Sequence, residues 1–389
     1  MIKNKDKGIT LIALVITIII LLILAGISIS ALTNQGLFKN AKAAQNATEK
    51  AEKEQGQRLN EYEDEINKYL GNSKDESKDD TKGTTVEEAI KKNGALSTTD
   101  NTELKDAKNN KIVVPAGFKI VEGATTVDKG IVIEDVTETA TKGSQFVWVP
   151  VGTITKADGT TATITLGRYD FNSTTGVESA YTGTYVEEDS NDSSTLKKCG
   201  NTIAKNITNF KNSVVQNGGY YIGRYEARTA TARNAAGNAL TQITEKGTEN
   251  VYNYVTQLQA AQLSQNMYNS DKFTSDLMNS YAWDTATVFI QNCGTNAKYS
   301  RQNSLNTALL QTGTNSLTDT SKIDVQCNIY DMASNIEEWT TETSYDSDSP
   351  CVYRGGYCIS SNVFTSNRSN SYTSGRGNVG FRPLLYVNV

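Results

Sequence analysis

The sequence predicts an α+β domain with little regular structure, set behind a long N-terminal helix. Three observations predict it. Residues 8–38 contain no charged residue, and residues 9–32 are mostly Ile, Leu, Val and Ala. From Lys111 onward, short β-type runs alternate with turns rich in Asn, Gly and Thr. Two stretches, 255–267 and 273–291, carry a helical pattern instead.

The apolar run comes first. Its 24 residues exceed the roughly 20 that a helix needs to cross a bilayer core. Lys3, Lys5 and Lys7 precede it, which holds the N-terminus in the cytoplasm and sends the rest of the chain outside. A secretory signal peptide is one alternative, with residues 28–31 as a loose cleavage site, but the run is too long for its usual apolar region. A plain membrane anchor is another. A short basic leader ending in Gly8, then Ile9-Thr10-Leu11-Ile12 and a long apolar helix, resembles the type IV prepilin signal over residues 1–33. The resemblance implies cleavage between Gly8 and Ile9 by a prepilin peptidase, methylation of the new N-terminus and other pilin subunits as partners. The family usually has Glu at the fifth mature residue, and here that residue is Ala13. Its absence implies a place at the tip of a fibre, or a subunit left in the membrane.

Beyond the membrane, Leu37, Ala41, Ala44, Thr48 and Ala51 form a narrow apolar stripe, continued by Leu59, Tyr62, Ile66 and Tyr69. Residues 9–70 are therefore expected as a pilin-like helix, with a short coiled coil or a spacer as the alternative. Residues 71–108 are expected as a disordered linker, because residues 72–83 contain no apolar side chain and cannot bury enough surface to fold. Residues 86–90 are expected to make one helical turn.

Within residues 109–389 the strand-like runs are 112–114, 118–121, 131–133, 145–151 and 218–227. Residues 153–217 are expected as loops, with a solvated acidic cluster at 187–192. A net charge of −5 and a pI near 5.2 give no basic footprint for nucleic acid. The absence of histidine removes the commonest general base and the His-based metal sites. The five cysteines make no CxxC pair. Cys351 and Cys358 can either bridge or remain thiols.

The C-terminal third carries a second resemblance. Tyr330-Asp-Met-Ala-Ser-Asn-Ile-Glu-Glu-Trp339, Arg354-Gly-Gly356 and Gly380-Phe-Arg382 follow the order and spacing of the formylglycine-generating enzyme family. Gly219-Tyr-Tyr-Ile-Gly-Arg-Tyr-Glu226 and Tyr281-Ala-Trp-Asp284 fit it more loosely. The resemblance implies a C-type-lectin-like fold over about residues 110–389. Read physically, Trp339 and Phe381 are core positions, and Arg354 and Arg382 belong in buried ion pairs with Asp331, Glu337 or Glu338. Catalytic members use two copper-binding cysteines between the last two motifs. Here that interval holds only Cys358, so neither copper nor catalysis is expected. The family's calcium loop maps onto Asn335, Ile336 and Glu338, which implies a structural calcium ion; an ion pair between Glu338 and an arginine is the equal alternative.

Residues 357–378 are the expected ligand-binding face. Of these 22 residues, 14 are Tyr, Ser, Thr or Asn, the usage of adaptable recognition surfaces. The candidates are Tyr357, Ser360, Ser361, Asn362, Phe364, Ser366, Asn367, Arg368, Ser369, Asn370, Tyr372, Ser374, Arg376 and Asn378. A plain polar loop is the alternative. Composition and position are similar to the variable proteins of diversity-generating retroelements, which implies diversified residues here. The sequence thus points to a surface adhesin with an extracellular protein or glycan ligand. A structural minor pilin, or an enzyme of unknown chemistry using Asp331, Glu337 and Glu338, are the alternatives.

Overall fold

A computed structural model describes residues 84–187, 204–312, 320–358, 360 and 362–389. They belong to one compact unit, Thr81–Val389. The expectations for Gly8, Ile9, the span 9–32, the helix 9–70 and residues 71–83 fall outside them.

The described chain is mainly β. It carries twenty short strands in seven sheets and four α-helices. The expected class, α+β and C-type-lectin-like behind a long helix, is corrected accordingly. No helix among the described residues is long and apolar enough to cross a membrane. The physical reason is local: Gly, Asn and Thr interrupt the apolar runs every few residues, so most elements end as short strands.

Ten strands build the two larger sheets: β1 (Phe118–Ile120), β2 (Val132–Asp135), β3 (Gln145–Pro150), β4 (Gly219–Gly223), β5 (Phe273–Leu277), β6 (Glu337–Thr343), β7 (Cys351–Arg354), β8 (Arg368–Ser371), β9 (Val379–Phe381) and β10 (Pro383–Val387). The central sheet runs β5-β10-β4-β3-β2-β1 and is antiparallel throughout. The second runs β8-β7-β6-β9, with only the β6–β9 pair parallel.

The four helices are α1 (Val86–Lys91), α2 (Ile207–Asn217), α3 (Gln257–Gln265) and α4 (Ser280–Cys293). Both faces of the central sheet are covered, which is why β4 is buried along its whole length. Tyr220 meets Phe210 of α2 at 5.3 Å and donates to the Ala282 carbonyl of α4 at 2.7 Å. Tyr221 points the other way, meets Trp148 at 4.9 Å and donates to the Val113 carbonyl at 3.0 Å. The sheet also curls. Phe118 and Phe273 sit on its opposite edges, yet their ring centroids are 5.7 Å apart. Asn101 holds the seam, donating to Lys272 O at 2.9 Å and accepting from Ala116 N at 3.2 Å.

Several elements differ from expectation. Residues 273–277 form a strand paired with β10, and the helix starts at Ser280, where Asn279 accepts from Ala282 N. Helix α2 lies in a segment expected as loop; Asn206 caps it, and Gly218 ends it in the left-handed region. Residues 84–108 are folded, not linker. A capping box, Thr85 with Glu88, starts α1, and Thr102–Lys105 pairs with Lys111–Val114. Glu187 is no solvated residue of an acidic loop: it accepts from Ser280 N at 2.7 Å and from the Thr341 hydroxyl at 2.5 Å. No disulfide joins Cys351 to Cys358.

Candidate functional site

The segment 357–378 leaves β7, returns along β8 and ends at β9. Its entry depends on Gly355 and Gly356. Gly355 has φ +83°, and a Cβ there would lie 2.7 Å from Met332 O. A Cβ on Gly356 would lie 2.3 Å from Ala333 O. The missing side chains let the strand exit run directly against the 332–333 turn.

The base of the segment is a buried charge cluster. Arg354 on β7 and Arg368 on β8 are register partners. Asp284 of α4 accepts Arg354 Nη2 at 2.5 Å through one oxygen, and Arg368 Nη2 at 2.6 Å through the other. Glu342 of β6 accepts Arg368 Nε at 2.9 Å and also pairs with Arg168. The Tyr181 ring lies 4.4 Å from the Arg168 guanidinium and 4.0 Å from that of Arg368. Arg354 also donates to the Asn367 carbonyl at 2.8 Å. Arg354 was expected to pair with Asp331, Glu337 or Glu338; it faces α4 instead. Asp284, Glu342, Arg168 and Tyr181 were not expected in this region at all. The one sequence signal was a carboxylate, Asp284, set among the apolar residues of a helix that proves almost wholly buried.

Above that base the expected binding residues divide into two groups. Asn362, Tyr372 and Ser374 are exposed. The other described candidates are half-buried and mostly engaged. Arg368 is held in the cluster. Asn370 donates to Ser349 O at 3.0 Å and accepts from the Tyr185 hydroxyl at 3.1 Å. Ser369 donates to Asn367 Oδ1 at 3.3 Å. Asn378 donates to Glu337 Oε2 at 3.2 Å. Phe364 lies under the Arg301 guanidinium at 3.5 Å, and Ser366 N donates to Ser300 O at 3.1 Å. The Arg376 guanidinium is 5.7 Å from the Tyr372 ring. Tyr357 and Ser360 are half-buried. Ser361 lies outside the described residues.

The expected calcium loop does not fit a cation. Both Glu338 oxygens take Arg382, at 2.6 and 3.1 Å, and both side chains are fully buried. Asn335 Oδ1 accepts from Leu310 N at 2.8 Å and from Asn306 Nδ2 at 3.3 Å. Its amide donates to Glu226 at 2.6 Å, and Ile336 N donates to Glu226 at 3.2 Å. An arginine already fills the electrostatic role that the ion would have. Among the described residues no group of three or more His, Cys, Asp or Glu is placed to hold a metal.

A variable protein resembles this chain. Treponema denticola variable protein 1 is 12% identical, with a TM-score of 0.32, over 63% of this chain and 97% of that one. No family model and no curated protein matches the chain.

Buried carboxylates of the domain give stability a defined pH dependence. Burial pushes Glu226, Asp276 and Glu337 up to about 7, and pushes Asp331 and Glu245 well up. Asp276 rises although Lys205 N, Gln265 and Leu277 N all donate to it. Unfolded, such groups titrate near 4. Between that value and 7 the folded state therefore holds more protons than the unfolded state. Stability should fall as pH rises through this window. Urea denaturation at pH 5 and pH 8 should differ by about 2 kcal/mol or more, with pH 5 the more stable, since one pKa unit is about 1.4 kcal/mol. Asp276→Asn should flatten the slope; an unchanged slope would remove Asp276 from the account.

Proposed function

We propose that this chain is a cell-surface ligand-binding protein, an adhesin whose contact surface is the outward part of residues 357–378. The observation that carries the reading is the division of that segment. Its backbone and inner side chains are fixed to a buried arginine–carboxylate base, while Asn362, Tyr372 and Ser374 are left to solvent. Fixed backbone with outward Tyr, Ser and Asn suits recognition, because little conformational freedom is lost on contact. Tyr372 is 57% exposed, so its ring is open to contact. A binding role also needs no catalytic group, in keeping with the absence of histidine. The ligand class we propose is an extracellular protein or glycan.

The test is a glycan and protein array probed with the full chain. Tyr372→Ala combined with Asn362→Ala should leave unfolding free energy within about 0.5 kcal/mol, as for other surface changes. The same pair should lower affinity for the array hit by about tenfold or more, as loss of an aromatic anchor does. Unchanged affinity would remove the assignment.

A further inference from the structure

We propose that the cleft at the seam of the curled central sheet binds a small neutral saccharide. The cleft has a volume of 630 Å³, within the range of small-molecule sites, roughly 300–1,000 Å³. Its floor is apolar: Met267 and the rings of Tyr268 and Phe273, whose centroids are 5.4 Å apart. Phe118 backs both rings at 5.7 Å.

One wall is a chain of hydroxyls with a fixed direction. Thr137 and Thr141 donate to the buried Asp135 at 2.5 and 2.6 Å, and the Tyr268 hydroxyl donates to it at 3.1 Å. The exposed Thr139 hydroxyl lies 3.0 Å from that of Thr137 and 2.8 Å from that of Thr141. With the Thr137 and Thr141 protons committed to Asp135, Thr139 donates inward as well. Each hydroxyl has one proton and two lone pairs, so the wall offers lone pairs to the cleft. Across the cleft, Thr99 likewise commits its proton to Asp100 at 2.8 Å.

The ligand follows from this lining. An acceptor wall over aromatic rings suits a molecule with several O–H donors and a C–H face that can lie on the rings. An anion would meet lone pairs with lone pairs, and the lysine of the cleft, Lys272, is already paired with Asp100 at 3.3 Å. Asp135 behind the wall already accepts three hydroxyls and the Thr137 N–H, while the exposed Asp271 on the rim adds an acceptor that O–H donors also satisfy, so ethanolamine is the competitor that tests a cation. A neutral sugar ring meets both demands. The cleft shares no lining residue with segment 357–378, so the two readings stand or fall separately.

Saturation-transfer NMR on the full-length protein tests this. The probes are glucose, galactose, N-acetylglucosamine and maltose, with inorganic phosphate and ethanolamine as charged controls. At least one sugar should saturate and neither control should compete. Thr139→Val should weaken that sugar about five- to tenfold, the value of one hydrogen bond. Ala140→Trp, an exposed position on the rim, should block binding, and Tyr372→Ala should leave it unchanged. The proposal is overturned if no sugar saturates, if phosphate or ethanolamine displaces the sugar, if Thr139→Val has no effect, or if Tyr372→Ala abolishes binding.

Discussion

Replacing Arg382 by leucine is expected to destabilise the protein by about 3–5 kcal/mol, the range for breaking a buried ion pair from one side. Arg382 makes four hydrogen bonds from a fully buried position. Two go to Glu338, one to Gly223 O at 2.8 Å and one to Tyr330 O at 2.8 Å. It therefore ties the central sheet, through β4, to the second sheet, through β6, and both to the short strand that ends at Tyr330. Its loss leaves the Glu338 carboxylate without its cation and strips two carbonyls of their donor. Glu226 and Glu245 lose a compensating charge too, since Arg382 opposes the upward push of burial on both. Arg382→Lys should recover little, because one ammonium cannot reproduce a planar fork with donors in three directions. The double variant Arg382→Leu/Glu338→Leu should recover a large part, as apolar replacement of a whole buried pair does. Denaturant titration of the three variants measures this, and a double variant no better than Arg382→Leu would show that the two carbonyls, not the charge, dominate.

Gly355→Ala is expected to destabilise by about 2–5 kcal/mol. Left-handed backbone in a residue with a side chain accounts for about 1–3 kcal/mol of this, and crowding against Met332 O for a similar amount. The contact is with backbone, so no rotamer change relieves it. Whatever fraction of the variant folds should also bind poorly, because the start of segment 357–378 is displaced. Gly237→Ala is the control. Nothing lies within 4 Å of its added carbon, so it should be near neutral or slightly stabilising through the unfolded state. Equal effects at the two glycines would mean that the close approach at Met332 is unimportant.

Much of the central sheet was legible in the sequence, because β-rich runs bounded by Gly, Asn and Thr set its strands at 118–120, 132–135, 145–150 and 219–223. Trp339 and Phe381 are fully buried, as a core reading requires. Arg382 pairs with Glu338, one of three partners its position allowed. Other features were hidden for identifiable reasons. Residues 273–277 carry enough apolar character to extend the helical pattern of 280–293, and only pairing with β10 makes them a strand. Helix α2 did have a signal, Ile207, Phe210 and Val214 between Asn206 and Gly218, but it stands in a long Thr- and Asn-rich stretch that masks a period of one short helix. The arginine–carboxylate base was out of reach because Asp284, Glu342 and Arg368 are dozens of residues apart and only tertiary packing joins them.

The base beneath segment 357–378 also sets how freely that segment can change over generations. Arg368 carries two carboxylates through its side chain. Substitution there propagates into the core. Tyr372 and Ser374 answer to nothing below them that is comparable. Tolerance should therefore switch sharply within a few residues, from nearly none at 368 to nearly complete at 372–374. A chain built this way can explore new surface chemistry while its folding problem stays the same.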